Sequence, residues 1–190
     1  PQNSGKRYSE SLTLEEAFAQ SSNVAAVRLL GEVGSEKVIA TARDLGVTSP
    51  MAKGDPSLAL GTSTMSLLEL TSAYAAIAAN EYPVEPHAFA RPERGFFANL
   101  WDGPSSFSSS THSEMERMLR SAINNGTGRA AMLSGPNFGK TGTTQDNRDA
   151  LFVGYAGDLV VGVWVGNDDN SPLKGGISGG GVPARIWRDF

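Results

Sequence analysis

The stretch FGKTGTTQDNRDALFVGYAG, residues 138–157, decides the fold, because a polar run around Lys140 passes here into β-branched and aromatic residues. The runs LFVGYAG and LVVGVWVG, residues 151–157 and 159–166, are separated by Asp158, a pattern typical of a β-hairpin. Both runs are rich in side chains that favour strands. The sequence therefore predicts an antiparallel sheet in the last third of the chain.

Upstream of this stretch the sequence predicts helices. Thr13 and Glu16 form a capping box, the pattern that begins a helix, and Ser66 and Glu69 repeat it. Helices first and strands last predict an α/β fold of the α+β type, layered α/β/α, in which helices flank an antiparallel sheet. Further helix starts or stops are predicted at Ser35, Gly46, Thr111 and NNGTG (124–128), short strands and loops at 81–110, and a closing helix at ARIWRDF (184–190).

Composition excludes several classes of function. The 190 residues with 39% hydrophobic content are enough for one domain, and 16 basic against 20 acidic residues leave no basic surface for nucleic acid. The chain has no cysteine and only two histidines, His87 and His112, so we predict no metal site and no cofactor. Its longest apolar stretch, residues 66–80, is too short and too polar to cross a bilayer, so no membrane segment is predicted.

A nucleotide-binding loop is the first alternative for the residues around Lys140. GPNFGKT, residues 135–141, resembles a Walker A loop, but only three residues separate its first glycine from Gly139 and Lys140, where four are required. A phosphate loop must also lead into a helix, whereas Lys140 leads into predicted strands. The sequence therefore disfavours nucleotide binding.

A peptide-binding strand edge is the second interpretation. Gly142 allows close backbone approach, so an extended ligand could bind along the strand. Alternation places Lys140 and Gly142 on one face and Thr141 and Thr143 on the other. The two hydroxyls could bind a carboxylate, Lys140 would add positive charge, and the main-chain N–H near Thr143 could face an oxyanion. The alternative is a solvated lysine with threonines chosen for strand propensity.

A second polar group lies at Ser21-Ser22-Asn23, between two predicted helices. A serine hydroxyl and an asparagine carboxamide two positions apart are suited to passing a proton and holding a substrate amide. The alternative is that Asn23 caps a helix beginning at Val24.

Ser-x-Asn followed far downstream by Lys-Thr-Gly resembles the signature of active-site serine penicillin-binding proteins and related β-lactamases. The chain resembles the C-terminal portion of the transpeptidase domain of a class A, bifunctional penicillin-binding protein. The resemblance implies the transpeptidase-like fold of that family, incomplete on its N-terminal side. It is carried by SLTLEEAFAQSSNVAAVRLL (11–30), LALGTSTMSLLELTSAYAAIAA (58–79), NNGTGRAA (124–131), GKTGTT (139–144), LFVGYAGDLVVGVWVGND (151–168) and GGGVPARIW (179–187).

The resemblance implies a role for each site residue. Ser21 would relay a proton, Asn23 would hold the stem-peptide amide, and Lys140 would stabilise charge. Thr141 and Thr143, with Gly142 between them, would bind the terminal carboxylate of D-Ala-D-Ala. The implied reaction is acyl transfer through a serine ester that cross-links peptidoglycan on the extracytoplasmic face of the bacterial inner membrane, and β-lactams would trap the same serine.

The chain departs from the family pattern at the nucleophile. The only Ser-x-x-Lys is Ser171 to Lys174, SPLK, where Pro172 and the following glycines disfavour the helix that a Ser–Lys pair needs. We therefore expect residues 1–190 to be the C-terminal portion of one domain, inactive alone, with the upstream strands, nucleophile helix and membrane anchor supplied by a missing N-terminal part. The alternatives are an inactive β-lactam sensor and a cell-wall interaction module of the same fold.

Overall fold

The structure is a computed structural model that describes residues 1–3, 8–89 and 103–190. Three strands form one antiparallel sheet in the order β1-β2-β3. A two-residue turn, Gly157-Asp158, joins the second strand to the third, so the predicted hairpin is confirmed. The strands are β1 Phe138–Thr143, β2 Asp149–Ala156 and β3 Leu159–Gly166.

Helices precede the sheet, and one helix follows it. The connections between helices and strands in the described segments contain short 3₁₀ turns at Pro56–Leu60, Arg129–Ala131, Gln145–Asn147 and Lys174–Gly176. The α-helices of the described segments are α1 Leu14–Ala19, α2 Asn23–Val33, α3 Ser35–Asp44, α4 Leu67–Ala79, α5 Ser109–Asn124 and α6 Val182–Asp189.

The two faces of the sheet are covered by different helices. Phe152 of β2 is fully buried and packs with Trp187 of α6, whereas Tyr155 of the same strand packs with Ile77 of α4. Because side chains alternate along a strand, these residues lie on opposite faces. Leu119 of α5 joins the Tyr155 side of the core. The sheet therefore lies between α4 and α6, and the predicted α/β/α layering is confirmed.

Both predicted capping boxes are present. In α1, the Thr13 hydroxyl accepts from the Glu16 N–H and the Glu16 carboxylate accepts from the Thr13 N–H. In α4, Ser66 and Glu69 make the same pair of bonds. The carboxylate of Glu69 also accepts from Thr48, which ties the loop after α3 to the start of α4.

Two local predictions and one of the alternatives were wrong. Ser22, not Asn23, caps α2: its hydroxyl accepts from the Ala25 N–H, and Asn23 is the first helical residue. Ser108 caps α5 in place of Thr111, because a serine three residues earlier offers the same bond. Ser35 is the first residue of α3, after Gly34, and not its cap.

The segment predicted to form short strands and loops is only partly described. A single antiparallel bridge joins Tyr82 to Ser105, and α5 already begins at Ser109. Residues 90–102 of that segment lie outside the described residues. Across the described parts of the chain, every helix is too short or too polar to cross a bilayer.

Candidate active site

The site begins at the sharp reversal between α1 and α2. The Ser21 N–H donates to the Phe18 carbonyl at 3.0 Å, and the Ser22 N–H donates to the Ala17 carbonyl at 2.9 Å. These two bonds form a Schellman motif, in which the residue after the helix cap is left-handed and is usually glycine. Here that residue is Ser21, with φ of +55°. The reversal therefore presents a serine hydroxyl at a position that glycine usually occupies in this motif.

Lys140 of β1 joins this reversal to the sheet. Its Nζ donates to the Ser21 Oγ at 2.8 Å and lies 3.3 Å from the Thr141 carbonyl oxygen. The ammonium also lies 5.6 Å from the centre of the Phe18 ring. Burial lowers the pKa of Lys140 to about 8, because desolvation disfavours the charged amine. A lysine with this pKa exchanges its proton near neutral pH.

One cleft of about 320 Å³ contains all the residues that sequence analysis selected. The cleft runs between the α1–α2 reversal and β1, with Ala59 and Leu60 as further lining residues. Because β1 is an edge strand among the described residues, side chains from both of its faces reach the cleft. The predicted residues that line it are Ser21, Asn23, Lys140, Thr141, Gly142 and Thr143.

The alternation predicted for β1 is visible in the partners of its side chains. Lys140 points toward Ser21, whereas Thr141 on the opposite face lies beside Thr127, with 2.6 Å between the two hydroxyl oxygens. The Gly179 N–H donates to the Thr143 hydroxyl at 3.0 Å. The loops at Thr127 and Gly179 thus hold the two threonines.

The N-terminal residues also contribute, which sequence analysis missed. The Asn23 Nδ2 donates to the Gln2 carbonyl at 2.8 Å, and the Asn3 Oδ1 accepts from the Val24 N–H at 3.1 Å. The carboxamide of Asn23 is therefore oriented by backbone more than twenty positions away. No local sequence pattern marks Gln2 and Asn3 for this role, because the contact depends on tertiary structure.

SPLK does not line the cleft and lies on a surface connection, as predicted. Ser171 and Lys174 are not on an α-helix: the Ser171 N–H is turned back onto the Asp169 carboxylate, and Lys174 begins a 3₁₀ turn. Within residues 1–3, 8–89 and 103–190, no group of three or more His, Asp or Glu side chains is arranged to hold a metal ion.

The cleft combines groups suited to acyl transfer on an anionic peptide. A lysine amine bonded to a serine hydroxyl can pass a proton, and two further hydroxyls with an exposed strand edge can bind a carboxylate and a peptide backbone. The arrangement thus provides a proton relay on one side of β1 and hydrogen-bond donors for an anion on the other.

Comparison with known proteins gives matches along the whole chain. Residues 1–189 match the family model described as the penicillin binding protein transpeptidase domain. Penicillin-binding protein 1A of Aquifex aeolicus is 34% identical over 203 residues, covering 100% of this chain and 27% of that protein. Penicillin-binding protein 1A of Neisseria meningitidis is 29% identical over 201 residues, covering 100% of this chain and 25% of that protein. The chain thus spans about a quarter of the length of these relatives.

A solved structure supports the fold independently. The crystal structure of penicillin-binding protein 1A from Haemophilus influenzae matches 100% of this chain and 35% of its own, with a TM-score of 0.81 and 24% sequence identity. At this identity the match establishes the architecture of helices around an antiparallel sheet.

Proposed function

The chain belongs to the penicillin-binding protein transpeptidase domain family, and we propose that it forms the substrate-binding half of a serine D,D-transpeptidase that cross-links peptidoglycan stem peptides. The proposed substrate is a stem peptide ending in D-Ala-D-Ala, and β-lactams are the proposed inhibitors. We place the activity at the extracytoplasmic face of the bacterial inner membrane, as the family resemblance implies.

The hydrogen bond between Lys140 and Ser21 carries this proposal. It brings together two motifs 119 positions apart, and the cleft between them is lined by the other four predicted residues. A lysine and threonines chosen only for strand propensity would have no reason to face a left-handed serine. Surface lysines are rarely held in this way, because a solvated ammonium gains little from one exposed partner.

Each group has a proposed role in acyl transfer. Ser21 relays the proton between the nucleophile or leaving amine and Lys140, whose lowered pKa suits this exchange. Asn23 binds the stem-peptide amide, and Thr141 and Thr143 bind the terminal carboxylate beside Gly142. The main-chain N–H of Thr143 stabilises the oxyanion of the tetrahedral intermediate.

The nucleophile comes from outside these residues in our proposal. SPLK is the only Ser-x-x-Lys of the chain, and it lies on a surface connection and not on an α-helix. We propose that residues 1–190 are the C-terminal portion of one transpeptidase domain. The serine, the strands beside it and the membrane anchor would come from a preceding part of the same protein, and the chain alone would be inactive.

Labelling with a fluorescent penicillin tests the proposal in the full-length protein. We expect Lys140→Ala to lower the acylation rate at least about a hundredfold, because a charged group and a proton acceptor are lost together. Lys174→Ala is the matched control, since it removes an exposed lysine of SPLK, and we expect it to label like the wild type. Equal labelling of the Lys140→Ala protein and the wild type would refute the proposal.

A second measurement separates the enzyme from a β-lactam sensor of the same fold. The full-length protein is incubated with a peptidoglycan precursor whose stem ends in D-Ala-D-Ala, and cross-linked product is quantified. We expect product from the wild type and none from Lys140→Ala. Acylation by penicillin without any cross-linked product would identify a sensor.

A further inference from the structure

The loop between α5 and β1 places the hydroxyl of Thr127 next to that of Thr141, a residue of the cleft. Thr127 is exposed, does not line the cleft, and lies with its Oγ1 2.6 Å from that of Thr141. We propose that Thr127 is a positioning residue that fixes the direction of the Thr141 hydroxyl, so that Thr141 donates its hydrogen to the ligand carboxylate. This inference rests on the proposed function of the cleft.

The number of hydrogen atoms supports this assignment. A carboxylate only accepts hydrogen bonds, and a threonine hydroxyl has one hydrogen to donate. In the close pair, one hydroxyl must donate to the other. If Thr141 donates to Thr127, it has no hydrogen for the ligand. Carboxylate binding by Thr141 therefore requires Thr127 to be the donor.

The neighbouring threonine shows the same arrangement with a backbone donor. The Gly179 N–H donates to the Thr143 Oγ1 at 3.0 Å, and an N–H group cannot accept in return. The Thr143 hydrogen is therefore available to a ligand in the cleft. Under this assignment both threonine hydroxyls accept a hydrogen bond from a neighbouring loop. Thr143 accepts from the backbone amide of Gly179, and Thr141 accepts from the side chain of Thr127.

The backbone of Thr127 is held firmly enough for this role. Its N–H donates to the Ala19 carbonyl at 3.1 Å, two residues before Ser21. Gly126 permits this contact, because a Cβ at that position would lie 2.1 Å from the Ala19 oxygen. On the opposite side, a Cβ on Gly180 would lie 2.4 Å from the Thr127 carbonyl oxygen. Thr127 is thus held between the α1 reversal and the segment that orients Thr143.

The test compares an anionic ligand with its neutral analogue in the full-length protein. Second-order acylation rate constants are measured for benzylpenicillin and for its methyl ester. We expect Thr127→Val to slow acylation by benzylpenicillin about tenfold, because Thr141 loses the partner that directs its hydrogen toward the ligand carboxylate, and to leave the methyl ester within about twofold. Thr127→Ser keeps the hydroxyl and should react with both ligands like the wild type.

Thr111→Val is the matched control, because Thr111 is an exposed threonine in the first turn of α5, about 20 Å along that helix from the Thr127 loop. We expect no change with either ligand. An equal loss with both ligands, or a Thr127→Ser protein as slow as Thr127→Val, would overturn the inference by showing a merely structural role. A wild type that neither ligand acylates would instead refute the proposed function.

Discussion

Ser21 has a backbone conformation that serine rarely adopts. Its φ of +55° lies in the left-handed region, which costs a residue with a Cβ about 1–2 kcal/mol relative to glycine. The Schellman motif would form with glycine at lower cost. Glycine at this position would lack the hydroxyl that is bonded to Lys140. The protein is therefore less stable than it would be with glycine, at the position where the proposed chemistry needs a hydroxyl oxygen.

We expect Ser21→Gly to raise the free energy of unfolding by up to about 1 kcal/mol, because glycine relieves the left-handed strain. The same change should abolish penicillin labelling. Denaturant unfolding of the full-length protein, beside Ser21→Ala, measures the first effect. The alanine variant keeps the Cβ, so it should lose labelling without gaining stability. Equal stability of the two variants would contradict the strain argument.

The lowered pKa of Lys140 predicts a stability that depends on pH. The folded state binds the proton of this amine less tightly than the unfolded state, whose pKa is near 10.5. Between about pH 8 and 10.5 the unfolded state therefore holds more protons, and stability must rise with pH in this window. We expect this rise, on the order of 1 kcal/mol after solvent screening, in the wild type.

Lys140→Met removes the titrating group and gives the control for that measurement. Unfolding free energies are compared at pH 7.5 and pH 10 for both proteins. The difference between the wild type and Lys140→Met should shift in favour of the wild type as the pH rises. A difference that stays constant across this range would show that the lysine is not desolvated in the folded protein.

At the scale of elements, β1 is fixed by a buried side chain just before it. Asn137 is fully buried, and its Oδ1 accepts from the Arg120 guanidinium at 2.7 Å. Its Nδ2 donates to the Ala131 carbonyl at 2.8 Å. Arg120 lies on α5, so Asn137 connects the long helix, the loop after it and the strand that carries Lys140.

We expect Asn137→Ala to cost about 2–3 kcal/mol of unfolding free energy, because it leaves buried polar partners without their hydrogen bonds. Asn167→Ala is a suitable control. The Asn167 carboxamide makes comparable bonds to Ser171, but it is exposed, so water can replace them. A cost below about 1 kcal/mol for Asn137→Ala would show that this connection does not stabilise β1.

Elements with local signals were predictable from sequence, and contacts between elements were not. The capping boxes at Thr13 and Ser66 and the turn at Gly157-Asp158 each depend on residues within a few positions, so their patterns are visible in the chain. The left-handed Ser21 and the Thr127–Thr141 pair depend on tertiary packing. The cleft residues were predictable from their side-chain chemistry and from the family resemblance, but the groups that orient them were not.

At the scale of the whole molecule, the sheet and the helices present apolar surface. Among the described residues β3 pairs only with β2, and its Trp164 is 43% exposed. Leu14 of α1 and Leu29 of α2, which are 55% and 45% exposed, line a groove beside the site. An unpaired strand edge and an open apolar groove are both aggregation hazards in isolation.

We expect the isolated 190-residue chain to fold poorly and to become ordered when the preceding part of the domain is added as a second polypeptide. Circular dichroism during heating, with and without that polypeptide, tests this expectation. The broad, weak transition of the chain alone should become a single cooperative one in the mixture. A sharp transition of ordinary midpoint from the chain alone would contradict it.

The bond between Lys140 and Ser21 also bears on biosynthesis, because its two ends are 119 residues apart. A nascent chain that has emerged from the ribosome only as far as α4 already carries the serine and the asparagine, yet it has no reactive lysine beside them. Under the proposed function, penicillin would therefore label only chains that have been translated past β1 and have closed this long-range contact. A labelled penicillin should therefore react with mature molecules and not with truncated or misfolded ones.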